Sequence, residues 1–243
     1  MTAVVEGAGV PLSVSERGEG RPLLIVHDIA SDAQDVAALA EALDGRARTI
    51  AYDRRGYGAS GAPEPYEATT VHEQAEDAAG VLRALGATDA VVVGLGFGAL
   101  VALDLLERHA ELAGAVVLAD PPLFAFVAEA AEALAAERLL LEEALREGGP
   151  ELAVARWLGG GAAADRVERA QRAHRAFFAD LAGIASWPVT RGRLRAVADP
   201  AVVLTREQAP PHVVAAADAV AMLLPRARRE RGGDISEAAL SLL

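Results

Sequence analysis

The sequence has no cysteine, no lysine and few aromatic residues, and these scarcities limit what the protein can be. Without cysteine there are no disulfide bonds and no thiolate chemistry. All 23 basic residues are arginine, which together with abundant alanine indicates a GC-rich coding sequence rather than a function. Aromatic residues make up only 4% of the chain, so the core must consist mostly of alanine, valine and leucine.

Basic charge and long apolar runs are also scarce. The net charge of −12 argues against binding to nucleic acid or to anionic membranes. No run of about 18 uncharged apolar residues is present, and the first residues lack the basic and apolar regions of a signal peptide. We therefore expect a soluble cytoplasmic protein. The five histidines and the carboxylates show no metal-ligand spacing, so we expect no metal and no other cofactor.

Short apolar runs and amphipathic stretches alternate along the first half of the chain, which predicts a parallel sheet covered on both faces. The predicted strands are 23–27, 48–53, 90–93 and 115–119, and the predicted helices are 35–43, 70–85 and 98–107. From 123 to about 187 the pattern changes to Ala/Glu/Arg helices, interrupted at 148–150 and 159–161. Strands at 201–205 and 227–230 and helices at 213–224 and 236–243 then follow. The sequence thus predicts an α/β core of residues 1–120 and 191–243, with residues 121–190 as a helical cap.

The most informative motif follows the third predicted strand and reads Gly94-Leu95-Gly96-Phe97-Gly98. Its spacing is that of a nucleophile elbow, G-x-S-x-G, with glycine in place of the serine. The same residues also fit G-x-G-x-x-A, and Asp120 follows about 20 residues later, as in a dinucleotide-binding fingerprint. Such a fingerprint usually lies in the first strand-turn-helix unit of its domain. Two strands and a glycine-rich loop precede this motif, so its position favours the elbow.

Three further motifs accompany the elbow: Val26-His27-Asp28, the loop from Tyr52 to Ser60, and Val117-Leu118-Ala119-Asp120-Pro121. Together, in this order and at these spacings, they resemble the α/β-hydrolase superfamily, in particular small lidded members such as esterases, epoxide hydrolases and haloperoxidase-like enzymes. The resemblance covers the first 120 residues. It implies an α/β-hydrolase fold, that is, a doubly wound, mostly parallel sheet with a helical cap insertion over a pocket.

The resemblance also locates the positions at which the family carries its catalytic groups, and most of them are altered. The nucleophile position is Gly96, and Asp28 stands where the family has the glycine of its oxyanion motif. The histidine is expected near 230–236, where this chain has Asp234. The acid would be Glu207 or Asp120. The resemblance therefore predicts a hydrolase frame without its serine nucleophile and catalytic histidine.

On this fold the carboxyl groups of Asp28, Asp120, Glu207 and Asp234 are expected at the ends of strands, around one crevice. Several acids in an apolar pocket raise one another's pKa values, so Asp28, Asp120 and Asp234 are candidate catalytic groups. The alternative is that they are solvated or paired with arginine. The predicted pocket-lining residues are His27, Asp28, Ile29, Gly96, Phe97, Asp120 and Glu207, and His27 is expected to support the oxyanion loop.

Three functions follow from this frame. The first is a pseudo-hydrolase that binds a small apolar or partly polar molecule under the cap. The second is a non-covalent enzyme, such as a lyase, isomerase, cyclase or dehydratase, that uses pocket carboxyl groups. The third is a hydrolase with a non-standard nucleophile, such as Ser31 or a bound water. The sequence does not separate the first two, and it does not define the ligand or the oligomeric state.

Overall fold

The strands form one mostly parallel sheet in the computed structural model, which describes residues 2–128 and 130–243. Within these residues the eight strands are β1 (Thr2–Glu6), β2 (Pro11–Arg17), β3 (Pro22–Val26), β4 (Arg48–Tyr52), β5 (Ala90–Leu95), β6 (Ala113–Ala119), β7 (Ala201–Thr205) and β8 (Ala227–Arg231). Their order in the sheet is β1-β2-β4-β3-β5-β6-β7-β8. The pairs β1–β2 and β2–β4 are antiparallel, and the other neighbouring strands of this sheet are parallel. This is the doubly wound sheet that the strand-helix alternation predicts.

Helices follow the strands and cover both faces of the sheet. Among the described residues they are α1 (Ala37–Ala42), α2 (Val71–Ala84), α3 (Phe97–Arg108), α4 (Ala130–Leu158), α5 (Ala164–Arg172), α6 (His174–Ser186), α7 (Arg191–Ala196), α8 (Pro211–Leu223) and α9 (Ile235–Leu240). A single 3-10 turn, Phe124–Phe126, follows β6. None of the described helices is long and apolar enough to cross a membrane.

Alternation along the central strands divides the apolar core into two layers. Val92 of β5 lies in the cluster that contains the buried faces of α2, α3 and α8. Its neighbours Val91 and Val93 lie in the cluster formed with α1 and α9. Since successive side chains of a strand point to opposite faces, an uninterrupted valine run is buried on both sides. The two layers hold the carboxyl ends of β3, β5, β6 and β7 in a fixed arrangement.

The helices α4 to α7, hereafter the helical segment, lie between β6 and β7 in the sequence. The backbone of α4 leaves the helical conformation at Gly148 and Gly149, just before Pro150, so that α4 consists of two helical pieces joined at a kink. Gly159 to Gly161 separate α4 from α5. Both interruptions occur where the sequence predicts them.

The hairpin of β1 and β2 is absent from the sequence-based prediction, which begins its sheet at residue 23. Strand β1 is almost wholly exposed, and it carries no apolar run long enough to indicate a strand. It is held by its register with β2, which in turn pairs with β4. Long-range pairing of this kind leaves little local signal in a sequence.

Candidate functional site

The turn between β5 and α3 has the strained geometry of a nucleophile elbow. Gly96 adopts φ 51° and ψ −118°, a conformation that side chains other than glycine rarely adopt. Its amide donates a hydrogen bond of 2.9 Å to the carbonyl of Ala119 on the neighbouring strand. The backbone at Gly96 therefore has the strained conformation of the elbow that the glycine spacing predicts. The elbow keeps its shape, and the position that would carry the nucleophile has no side chain.

The carboxylate of Asp28 fills the space directly above Gly96. Its Oδ1 accepts a hydrogen bond of 2.7 Å from the amide of Ile29 and one of 2.8 Å from the amide of Phe97. A Cβ added at Gly96 would overlap this carboxylate. In an elbow of this kind, the amide after the nucleophile and an amide from the loop after β3 form the oxyanion hole. Asp28 Oδ1 therefore occupies the position that the hole provides for an oxyanion.

The surroundings of Asp28 raise the pKa of its carboxyl group. Burial makes the largest contribution, because removal from water penalises the charged form. The two amide donors and the Arg54 guanidinium oppose this shift, and the negative charge of Asp180 adds to it. Among the described residues none donates a hydrogen bond to the second oxygen, Oδ2. Asp28 thus has one carboxylate oxygen, Oδ1, that is bound by two amides, and a second, Oδ2, that can accept a hydrogen bond from a ligand or from water.

His27 lies behind this turn, fully buried, and is not among the residues that line the cavity. Its Nε2 accepts a hydrogen bond of 2.9 Å from the amide of Arg54, and its Nδ1 lies 2.8 Å from the carbonyl of Asp28. Nδ1 therefore carries the proton and donates it. Burial, followed by the charge of Arg54, lowers the pKa of His27 well below its ordinary value. The neutral imidazole supports the turn at Asp28 through these two hydrogen bonds, and neither ring nitrogen is free to act as a base.

A buried ionic network holds the turn at His27 and Asp28 in place and connects it to the helical segment. The guanidinium of Arg54 donates to the carbonyls of His27 and Asp28, at 3.0 and 3.1 Å. It also donates to both carboxylate oxygens of Asp180 on α6, at 3.1 and 2.7 Å, and both side chains are fully buried. Gln74 and the Tyr57 hydroxyl donate to the same carboxylate at 2.7 Å each.

Asp180 has no counterpart among the site residues predicted from the sequence. The available signal was an aspartate within the otherwise apolar run from Phe177 to Leu181, since a carboxylate on a buried helical face needs a partner.

A cavity of about 1010 Å³ opens between the carboxyl ends of the strands and the helical segment. Its floor includes Asp28, Ile29, Gly96 and Phe97, four of the seven predicted pocket residues, and Asp120 is a fifth. Apolar side chains from the helical segment make up most of the opposite wall: Leu134, Leu141, Leu145, Trp157, Phe178, Leu181, Ile184 and Trp187. The space suits a small molecule that is largely apolar.

The four predicted acids do not share this cavity. Asp120 lines it, in a left-handed backbone conformation with φ 48°, and pairs with Arg206 at 2.7 Å. Glu207 is exposed and lies outside the lining. Asp234 is also exposed and outside it, because its carboxylate caps the start of α9. The expected crevice of four carboxyl groups therefore contains only Asp28 and Asp120.

The capping role of Asp234 also sets its acidity. Its Oδ1 accepts hydrogen bonds from the amides of Ser236 and Glu237, at 2.7 and 3.0 Å. The Ser236 hydroxyl donates to it as well, and these bonds lower the pKa of Asp234. An aspartate at this position stabilises the start of its helix, so the structure gives Asp234 a capping role at α9.

Other polar side chains complete the lining. Ser31 lies on it, and so does His212 at the start of α8, which is not among the site residues predicted from the sequence. His212 Nε2 lies 3.8 Å from Glu137 Oε1. His174 lies outside the cavity. No group of three or more histidine and carboxylate side chains in residues 2–128 and 130–243 is arranged to hold a metal ion.

The comparisons with known proteins agree with this geometry. The chain is 36% identical over 112 residues to 2-(acetamidomethylene)succinate hydrolase of Mesorhizobium japonicum, a match that covers 46% of this chain and 39% of that protein. It is 37% identical over 125 residues to epoxide hydrolase A of Mycobacterium tuberculosis, covering 49% of this chain and 38% of that protein. The matched segments thus span about two fifths of either curated relative.

Solved structures resemble the whole chain. An alpha/beta hydrolase from Sphaerobacter thermophilus superposes with a TM-score of 0.74 at 23% identity, covering 99% of this chain and 97% of that one. An enol-lactonase from Burkholderia xenovorans superposes with a TM-score of 0.75 at 20% identity, covering 94% and 90%. At these identities the likeness shows the fold. A sequence model described as the alpha/beta hydrolase family matches residues 23–238, and the chain belongs to that family.

Proposed function

We propose that this chain is a non-hydrolytic member of its family, a pseudo-hydrolase that binds a small, largely apolar molecule in the cavity above Asp28. The observation that carries the proposal is the pair of hydrogen bonds from Ile29 and Phe97 to Asp28 Oδ1. These amides are the donors that a hydrolase of this fold would aim at the developing oxyanion. Here a carboxylate of the protein itself holds both of them.

Two further positions support the absence of hydrolysis. Acyl transfer on this fold needs a nucleophile and a histidine that activates it. Gly96 offers no nucleophile, and Asp234, near the expected histidine position, caps a helix and lies outside the cavity. Ser31 remains as a hydroxyl in the lining, but none of the described histidines forms a hydrogen bond with it.

We also propose that residues 121–190 act as a lid over this cavity. The apolar wall opposite Asp28 comes mostly from α4 and α6, and α6 is tied to the floor through Asp180 and Arg54. The reactions in the names of the curated relatives belong to those proteins and are not assigned to this chain. Nothing in the floor of this cavity reproduces a serine-based mechanism.

A second candidate function is non-covalent acid catalysis by Asp28. The observation in its favour is the raised pKa of this carboxyl together with an oxygen that no described residue engages. A carboxylic acid that keeps its proton in an apolar site can donate it to a substrate. Such an enzyme would be a lyase, isomerase, cyclase or dehydratase rather than a hydrolase.

The proposal is tested by measuring hydrolysis and binding separately. The protein is incubated with p-nitrophenyl esters and with a fluorophosphonate probe, and we expect no turnover above buffer and no labelling. Fragment binding is measured by ligand-observed NMR for the parent protein, for Asp28→Asn and for Asp234→Asn as the matched control outside the cavity. We expect fragments that bind the parent and Asp234→Asn to bind Asp28→Asn more weakly. Covalent labelling by the fluorophosphonate would contradict the proposal.

A further inference from the structure

On the floor of the cavity, Asp28 Oδ2 is a carboxylate oxygen that none of the described cations contacts, and it indicates what a ligand must bring. Asp28 Oδ1 is held by two amides, while none of the described residues donates a hydrogen bond to Oδ2. The nearest guanidinium, that of Arg54, contacts Asp28 only at its backbone carbonyl and forms its ion pair with Asp180. A half-buried carboxylate without a counter-ion is unfavourable unless a ligand supplies one.

The arginines of the lining are already paired within the protein, and Glu137, a carboxylate of the opposite wall, lies 3.8 Å from His212. Arg206 pairs with Asp120 at 2.7 Å, and Arg166 pairs with Asp35 at 3.2 Å. Arg138 pairs with Glu142 at 2.7 Å. Every arginine that lines the described cavity thus has a carboxylate partner that balances its charge.

The oxyanion hole, the other usual anion site on this fold, is closed to an anionic ligand. An acid or ester group that approached the amides of Ile29 and Phe97 would meet the Asp28 carboxylate already bound there. The negative oxygen of a carboxylate, or of the oxyanion that forms from an ester, would there face a like charge, which is unfavourable away from bulk water. The floor of the cavity therefore excludes the groups that hydrolases of this fold bind.

The walls suit a positively charged head that carries an apolar body. Trp157, Phe178 and Trp187 contribute aromatic rings to the lining, and aromatic faces attract cations. An ammonium can donate to Asp28 Oδ2 in a charge-assisted hydrogen bond, which is about twice as strong as a neutral one. An alcohol can donate to the same oxygen but leaves the charge uncompensated.

Building on the proposed non-hydrolytic binding function, we propose that the ligand of this cavity is an apolar primary or secondary amine, bound through its ammonium group to Asp28 Oδ2. Asp28 then serves as the specificity-determining residue of the site. The glycine at 96 is part of the same arrangement, since only a residue without a side chain leaves room for the Asp28 carboxylate.

The experiment uses three probes with one carbon skeleton: phenylbutylamine, phenylbutanol and phenylbutyric acid. Their affinities for the full-length protein are measured by isothermal titration calorimetry at pH 7. We expect the amine to bind at least about 10-fold more tightly than the alcohol, equivalent to about 1.4 kcal/mol, and the acid to bind weakest. Asp28→Asn keeps the shape of the side chain and should abolish the preference for the amine, whereas Asp234→Asn should leave it unchanged.

Each outcome decides the proposal. Binding of the amine that is no tighter than that of the alcohol, tightest binding of the acid, or no binding of the amine at all would overturn it. Retention of the amine preference in Asp28→Asn, with the variant folded by circular dichroism, would do the same. The proposed function fails on different measurements, namely ester turnover, fluorophosphonate labelling or an absence of fragment binding that depends on Asp28.

Discussion

Gly96 and Asp28 depend on each other at the scale of single residues. A side chain at 96 would overlap the Asp28 carboxylate. Without that carboxylate, the amides of Ile29 and Phe97 would lose the oxygen that accepts their hydrogen bonds. The glycine at 96 and the aspartate at 28 are therefore two parts of one arrangement. Restoring one residue alone does not restore the hydrolase site.

This coupling predicts that Gly96→Ser is destabilised and that Asp28→Gly rescues it. The serine in Gly96→Ser collides with Asp28, an overpacking that typically costs about 1–3 kcal/mol. The strain of positive φ is present in Gly96→Ser and in the double variant alike, so the double-mutant cycle isolates the collision. Urea unfolding of the four proteins measures it, and strictly additive free energies would contradict the prediction. Neither serine variant should react with a fluorophosphonate, because His27 is engaged by the backbone.

The raised pKa of Asp28 predicts a specific dependence of stability on pH. A carboxyl whose folded-state pKa exceeds its unfolded value binds its proton more tightly in the folded protein, so stability falls as the pH rises from about 4 through the folded-state pKa. Asp28→Asn removes this loss. The groups that act on Asp28 by charge, Arg54 and Asp180, are the same in both proteins. We therefore expect the stability of Asp28→Asn relative to the parent to increase as the pH rises from about 4 and to level off above the folded-state pKa of Asp28.

Thermal unfolding across this pH range provides the measurement, and Asp234→Asn provides the control. Hydrogen bonds from the start of α9 lower the pKa of Asp234, so its contribution to stability is lost only as the pH falls below about 4. The difference between Asp234→Asn and the parent should consequently stay constant from pH 4 to pH 7. A constant difference for Asp28→Asn as well would show that the Asp28 carboxyl is not perturbed by the fold.

The elbow and its positive φ were predictable from the sequence, because the glycine spacing and the flanking strand and helix constrain the backbone locally. The direction of a carboxylate is harder to predict. Asp234 was expected in the crevice, although Asp234 followed three residues later by Glu237 is the pattern of a helix N-cap. The backbone contacts of Asp28 come from two segments 69 residues apart in the chain, and no local pattern reports such a meeting.

At the scale of elements, the loop after β4 and helix α6 are joined by the pair of Arg54 and Asp180. The pair is fully buried, and Gln74 from α2 and Tyr57 complete the acceptor positions of the carboxylate. A buried ion pair of this kind contributes little relative to an apolar replacement but is costly to break, because removal of one partner leaves an unpaired charge inside the protein. The sequence predicted the strands and α2 of this region, yet it gave no indication that α6 would meet the loop.

This arrangement predicts that Asp180→Ala is strongly destabilising, by about 3–5 kcal/mol. Truncation leaves the Arg54 guanidinium buried with no counter-charge, and the Tyr57 and Gln74 donors lose their acceptor. Glu168→Ala on α5 is the control, because Glu168 forms an exposed i,i+4 pair with Arg172 and should change stability by no more than about 0.5 kcal/mol. Urea unfolding followed by far-UV circular dichroism measures both. A similar, small effect for the two variants would show that the network does not hold α6 to the loop.

At the scale of the whole molecule, the sheet and the helical segment differ in how deeply they are buried. The central strands are almost entirely buried, whereas only five residues of the 29-residue α4 are buried. Helix α6 is joined to the loop after β4 by the Arg54–Asp180 pair. Helix α5 is joined to the 32–35 loop through Arg169, which lies 2.7 Å from Asp32 and 2.5 Å from Asp35. Local opening is easiest where few apolar contacts must be broken. Helices α4 and α5 should therefore open without disruption of the sheet, as the proposed lid requires, while the buried Arg54–Asp180 pair keeps α6 in place.

Hydrogen exchange followed by mass spectrometry tests this separation. We expect amides of α4 and α5 to exchange at least about 100-fold faster than those of β5 and β6, a difference of about 3 kcal/mol in opening free energy. Arg169→Ala removes two of the three described ion pairs between α5 and the 32–35 loop and leaves only the pair of Arg166 with Asp35, so exchange in α5 should rise further while β5 stays unchanged. Arg172→Ala, which removes only an exposed pair on the same helix, should leave α5 as it is. Uniform exchange across the sheet and the helices would mean that the chain opens as one unit. A ligand would then reach Asp28 by a route other than the movement of α4 and α5.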